Sequence, residues 1–214
     1  PKRGCKEALR RVEQLLKEDK GWVVDADIKG YFDTIPHGPL LKRVGGKIAD
    51  GRVLRLIEAY LKAGVMESVK SWQPTERGTP QGAVISPLLA NIYLDPLDWE
   101  MARAGLEMVR YADDYVVLCH SREQALQALE KIQEFANANG LTLHPEKTQI
   151  VDASQPGGFD FLGYHFERGM KWPRPKSLGQ LKDRVRARTS RLTGRNLEAI
   201  IGDYEGLAVR SATK

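Results

Sequence analysis

Met108-Val-Arg-Tyr-Ala-Asp-Asp-Tyr-Val-Val-Leu-Cys119 is rich in valine, tyrosine and leucine, as strands are, yet it carries two adjacent carboxylates, Asp113 and Asp114, at its centre. The stretch predicts strand, turn, strand, with the acids at the turn. Turn acids taken alone need only solvent. A second acidic site changes that reading: Trp22-Val-Val-Asp-Ala-Asp-Ile28 reads as a strand whose alternation puts Asp25 and Asp27 on one face, with Val24, Ala26 and Ile28 on the other. An acidic pair on a sheet face is costly unless something positive compensates it.

Working outward, Ala8, Leu9, Val12, Leu15 and Leu16 recur at helical spacing, and Asp50 is placed to cap a helix carrying Val53, Leu56, Ile57, Tyr60 and Leu61. Gly78-Thr-Pro-Gln-Gly82 reads as a turn, followed by a long helix with Ser86 as N-cap and Pro87 at its first position. Ser121 and Gln124 form a capping box for a helix expected to bury Leu126, Leu129, Ile132 and Phe135. Two short strands flank Pro145, and Gln155-Pro-Gly-Gly158 turns into the alternating Phe159 to Tyr164. Helices and strands mixed without βαβ alternation predict an α+β fold. The expected form is a largely antiparallel sheet with helices on one face and the other face free for a ligand.

The chain has 214 residues, 42% of them hydrophobic, enough for a sizeable core. No apolar run approaches the roughly 20 residues that span a bilayer, and no signal-peptide pattern opens the chain, so the expectation is a cytoplasmic protein without a membrane partner. Cys5 and Cys119 lie at no ligand spacing and are expected as buried thiols. The net charge of +5 is unevenly spread: from Arg168 to Arg195 ten Lys or Arg face the single acid Asp183, a local net of +9. Such a segment suits a polyanion, although a merely solvated face is the plain alternative. Its helix carries Leu178, Leu181, Val185 and Leu192 on one stripe, and a boundary near residue 168 divides the chain into 1–167 and 168–214.

Carboxylates converging from separate strands are what a two-cation centre needs. Hard oxygen ligands select Mg²⁺, and two such ions about 3.5–4 Å apart serve in-line phosphoryl transfer, as in polymerases. The three stretches Asp27-Ile-Lys-Gly-Tyr-Phe-Asp33, Gly78-Thr-Pro-Gln-Gly-Ala-Val-Ile-Ser-Pro-Leu-Leu-Ala-Asn91 and Tyr111-Ala-Asp-Asp114, in this order, resemble the reverse transcriptases of bacterial group II introns. A bare Tyr-Ala-Asp-Asp is weak; the Thr-Pro-Gln-Gly run between the two acid motifs is specific.

The resemblance implies a right-hand polymerase palm over 1–167 and a short, basic, helical thumb or maturase-like segment over 168–214. It implies an RNA-directed DNA polymerase with Asp27, Asp113 and Asp114 at two Mg²⁺ ions, Mn²⁺ as a substitute, and the Ile28 carbonyl as a further ligand. Phe32 would stand under the incoming sugar and exclude a 2′-hydroxyl, its plain alternative being a core phenylalanine. Gln81 and Gly82 would touch the incoming nucleotide and template. Lys147 would serve as general acid at the leaving pyrophosphate, with a solvated loop lysine as the alternative. Phe161, Leu162, Gly163 and Tyr164 resemble the primer-holding hairpin, and Lys182 and Arg186 lie where phosphates of the duplex would be held. The implied partners are an RNA template, a DNA primer, dNTP and, in a second reading as an RNA-binding splicing cofactor without polymerase activity, intron RNA. The chain opens Pro1-Lys2-Arg3-Gly4, and the family's fingers would precede residue 1; the expectation is therefore a fragment that extends primers weakly.

Overall fold

In the computed structural model, which describes residues 4–63, 76–79 and 84–188, the acidic stretches become the two central strands of one sheet. β1 (Trp22–Ala26) pairs antiparallel with β3 (Asp114–Cys119) on one side and β4 (Gln149–Asp152) on the other. β2 (Glu107–Tyr111) adds the outer edge, giving the order β2-β3-β1-β4. A second, three-stranded sheet is a meander of β5 (Phe159–Phe161), β6 (Tyr164–Glu167) and β7 (Met170–Pro173).

Strand alternation builds two cores. Val24, Ala26, Tyr115, Val117 and Cys119 point to one face, where they meet α3 (His37–Gly45), α4 (Gly51–Lys62), α5 (Ser86–Arg103) and α6 (Arg122–Ala138). Val23, Val109, Val116 and Leu118 point to the other and meet Leu9, Val12 and Leu15 of α1 (Cys5–Lys17) together with Phe159, Phe161 and Phe166. Burying each such aliphatic or aromatic group is worth about 1.5–3 kcal/mol. The expectation of a free second face is thus corrected: α1 and the small sheet cover most of it, because its Val and Leu positions are as apolar as those of the first. Among the described residues it stays open at the end where β1 and β3 carry acids.

The expected caps are present with small shifts. The Asp50 side chain accepts from Arg52 N–H at 2.7 Å, and Ser121 Oγ accepts from Gln124 N–H at 3.2 Å. The long helix begins one residue early, with Ser86 already inside it. In α6 the buried residues are Ala125, Ala128, Ile132, Phe135 and Ala136, whereas Leu126 is 45% exposed, against expectation. Small residues let that helix approach the sheet closely, and the leucine stands one position off the buried stripe. Arg43 of α3 ties the helices together: it donates to the Tyr93 carbonyl and to Asn139 Oδ1, with its guanidinium 4.2 Å from the Tyr93 ring centroid.

α2 (Tyr31–Thr34) is one turn long, and α7 (Pro175–Arg188) carries the basic stretch. Of the expected apolar stripe on α7, Leu178 and Leu181 are exposed, Val185 is half-buried, and Leu192 lies outside the described residues. Cys119 is buried and Cys5 only partly so. No helix among the described residues is long and apolar enough to cross a membrane.

Candidate active site

The β1–β3 register runs to Ala26 opposite Tyr115, so the next step brings Asp27 beside Asp114, the first residue of β3. Asp114 alternates with Tyr115 and so shares the face of Val116 and Leu118, the face that also takes Asp25 and Asp27. Asp113 occupies the two-residue turn that closes the Tyr111–Asp114 pair, with Ala112 at φ 58. One cleft of about 550 Å³ is lined by Asp25, Asp27, Asp114, Lys147, Leu162 and Arg174, among others.

The electrostatics report this crowding. Desolvation raises the Asp114 carboxyl above its ordinary range; the Leu162 N–H opposes this, and the charges of Asp113 and Asp27 add to it. Asp25 is pushed up to about 6, chiefly by burial, against a hydrogen bond from Gln149 and with contributions from Asp114, Asp160 and Asp27. Each shift means that the surroundings disfavour the charged form, and a nearby cation is what would restore it.

A cation is already present in one place. Lys147 Nζ lies 2.9 Å from Asp27 Oδ2, and that bond raises the ammonium's pKa, so the residue keeps its proton. The ammonium takes the position on Asp27 that a metal cation would contest. Among the described residues no group of three or more Asp, Glu, His or Cys side chains is placed to hold a metal ion as the side chains stand, with Lys147 on Asp27. Asp27, Asp113 and Asp114 are nevertheless neighbours, and oxygen-only donors of this kind suit Mg²⁺. Ile28 bridges Leu143 through its neighbours: Lys29 N–H donates to Thr142 O at 2.9 Å, and His144 N–H donates to Asp27 O at 2.7 Å. In such an antiparallel pair the residue's own carbonyl points away from its partner, which here is toward the β3 side, where Asp113 lies.

Phe32, on α2, is half-buried against the helix-side core and sits edge-on to Tyr31 with centroids 5.6 Å apart. Its carbonyl accepts from Thr79 N–H at 2.7 Å, and Gly78 N–H donates to Ile35 O at 2.8 Å, so residues 78–79 are laced to the segment bearing Phe32. Gln81 and Gly82 lie outside the described residues. Phe161 and Tyr164 pair across the turn Leu162-Gly163, both in left-handed conformation, φ 47 and 83, as a type I′ hairpin requires. Leu162 N–H donates to Asp114 Oδ2 at 3.4 Å, which sets this hairpin against the acid. The structure thus brings Asp27, Asp114, Lys147, Leu162 and Gly163 together around the cleft, with Asp113 on the adjoining turn. Lys182 and Arg186 stand apart, exposed on α7, where Arg186 pairs only loosely with Asp183 at 3.5 Å.

Three residues of the cleft were not legible in sequence: Gln149 on Asp25 at 3.3 Å, and Asp160, which accepts from Arg174 Nη1 at 3.1 Å. Arg174 N–H also donates to the Gly163 carbonyl at 3.0 Å. Nothing in local periodicity marks them; only the pairing of the two sheets assembles them.

The profile described as reverse transcriptase (RNA-dependent DNA polymerase) matches residues 1–166. The group II intron-encoded protein LtrA of Lactococcus lactis subsp. cremoris is 35% identical over 154 residues, covering 69% of this chain and 25% of its own length. A 91 kDa protein in a cob intron of Schizosaccharomyces pombe is 31% identical over 212 residues, covering 72% of this chain and 26% of its own. The chain therefore spans about a quarter of the length of these curated relatives. A solved structure of telomerase from Candida albicans in complex with a fragment of telomeric RNA superposes with a TM-score of 0.62 at 13% identity, covering 97% of this chain and 41% of that one. That likeness establishes the fold, a right-hand polymerase arrangement.

Proposed function

The chain belongs to the reverse transcriptase (RNA-dependent DNA polymerase) family, and from that premise we propose that it forms the palm of an RNA-directed DNA polymerase of the group II intron type, with a basic thumb segment beyond residue 167. The observation that carries this reading is the register that puts Asp27 beside Asp114, with Asp113 on the adjoining turn and Lys147 on Asp27. Members of the family generally work with divalent cations. Asp27, Asp113, Asp114 and the Ile28 carbonyl are the groups that would hold two Mg²⁺ ions, which, when bound, supply activation of the attacking oxygen and charge neutralisation at the leaving oxygen.

The chain's own side chains do the rest. Lys147 Nζ carries a proton and lies on the residue-27 side of the cleft, suited to protonating a departing pyrophosphate oxygen. Phe32, its backbone fixed by Thr79, stands as a wall against a ribose 2′-hydroxyl. Phe161 to Tyr164 hold the primer end against Asp114, and Lys182 and Arg186 hold phosphates of an RNA template and its primer. Gln81 and Gly82 remain assigned to the incoming nucleotide. The splicing-cofactor reading has no observation of its own in its favour.

The test is Mn²⁺ binding by electron paramagnetic resonance, together with dNTP incorporation on a primed poly-rA template, for the chain and for Asp113→Asn. The expected result is metal-dependent incorporation that the substitution abolishes, with Mn²⁺ affinity falling at least tenfold. Equal Mn²⁺ binding by both proteins refutes the reading.

A further inference from the structure

Three residues before Asp113 stands Arg110, on the edge strand β2. Alternation sends Val109 into the α1-side core and turns Arg110 with Met108 toward the helix side, where α5 passes. Its side chain is 12% exposed, low for a charged group, and its donors are committed. Nε donates to Asp98 Oδ1 at 2.7 Å and Nη2 to Asp98 Oδ2, the fork-on-carboxylate arrangement that only a guanidinium makes. Nη1 donates to Asn91 Oδ1 at 2.7 Å and to the Ala112 carbonyl at 2.8 Å.

Asn91 and Asp98 are seven residues apart on α5, two helical turns, and so project from one face. They hold the guanidinium from the helix, and the guanidinium in turn holds the turn. Ala112 needs such a hold: it carries a Cβ at φ 58, a left-handed conformation that L residues rarely adopt. The carbonyl that Arg110 grips belongs to the residue that precedes Asp113. Rotation about that peptide would swing Asp113 and shift Asp114 off the Leu162 N–H.

We propose that Arg110, seated on Asp98 and Asn91, is the positioning residue of the catalytic turn: it fixes the Ala112 carbonyl and thereby the direction in which Asp113 and Asp114 present their carboxylates to cations. This rests on the nucleotidyl-transfer reading above. Groups that orient metal ligands from behind typically cost 10–100-fold in metal affinity when removed. Arg110→Lys keeps the charge but loses the fork and the third arm, so charge alone does not rescue it.

The experiment measures Mn²⁺ affinity and thermal midpoint for the wild type, Arg110→Lys, Asn91→Ala, Asp113→Asn and Arg43→Met. Arg43 is also braced on α5 and does not touch the turn, so it controls for destabilisation alone. The expected result is about 10–100-fold weaker Mn²⁺ binding for Arg110→Lys and a smaller loss, about threefold, for Asn91→Ala. Arg43→Met should lower the midpoint and leave affinity unchanged. Wild-type affinity in folded Arg110→Lys overturns the proposal; should that variant not fold, wild-type affinity in Asn91→Ala overturns it instead. If Asp113→Asn also binds like the wild type, the cation-site reading itself has failed; a loss confined to Asp113→Asn sinks the positioning role alone.

Discussion

Replacing Gly78 by alanine is the sharpest probe of how the segment bearing Phe32 is held. Gly78 has φ 90, and a Cβ there would lie 3.0 Å from the Asp33 carbonyl oxygen and 3.2 Å from its carbon, all backbone that no side-chain rotation can clear. Strain at such a φ is worth about 1–2 kcal/mol in a residue with a Cβ. Relief requires residues 78–79 to slide away, which stretches Gly78 N–H to Ile35 O at 2.8 Å, Thr79 N–H to Phe32 O at 2.7 Å and His37 Nε2 to Gly78 O at 2.6 Å. Weakening one or two of these adds roughly 0.5–1.5 kcal/mol each, for an expected total of about 1.5–5 kcal/mol. Urea unfolding reads this directly: with a slope of about 1–3 kcal/mol/M, the midpoint should fall by about 0.5 M or more at unchanged slope. Gly38→Ala is the matched control. Nothing lies within 4 Å of its added Cβ and the residue is helical, so it should be neutral or stabilising by up to about 1 kcal/mol. If Gly78→Ala unfolds at the wild-type midpoint, the lacing of 78–79 onto 32–37 is wrong.

Other outcomes follow from the same geometry. Asp25 is raised to about 6 from 3.8, so the folded state holds a proton that the unfolded chain releases, and this contribution favours folding below pH 4 and is lost as pH rises through 6. Asp25→Asn should therefore stabilise the protein at pH 7.5 by at most about 3 kcal/mol and by much less at pH 4, measured by thermal melts across pH; equal effects at both pH values contradict the assignment. Phe32→Val should relax discrimination against ribonucleotides by about tenfold or more in single-nucleotide incorporation, about 1.4 kcal/mol of lost repulsion, and unchanged discrimination places the filter elsewhere. Converting Lys182 and Arg186 to glutamine should reduce the salt slope of nucleic-acid binding by about two, one per phosphate contact. A slope unchanged in filter-binding titrations removes α7 from the interface.

Much of the arrangement was readable from alternation alone, because a period of two places Asp25 and Asp27 together once Val24 and Ala26 are known to be inside. The turn at Ala112-Asp113 was equally plain from the apolar runs on either side. What escaped has physical causes. α2 is a single turn fixed by Tyr31 donating its hydroxyl to the Ala90 carbonyl at 2.6 Å, a contact across 59 residues that no local pattern carries. Leu126 looked like core, but helix-to-sheet distance favoured Ala125 and Ala128. β7, with all four residues exposed, has no alternation to read, and only pairing with β6 makes it a strand. Arg110 sits within the most informative stretch of the chain and still reads there as an ordinary strand residue, since its partners Asn91 and Asp98 come from a different helix.

The ammonium resting on Asp27 has a consequence for assembly. Acids crowded at one end of a sheet would repel one another while the chain folds, and an exclusively metal-dependent neutralisation would tie folding to ion supply. With Lys147 delivered by the segment ahead of β4, the chain carries its own counter-charge for Asp27, so closing this end of the sheet does not depend on an external cation at that acid.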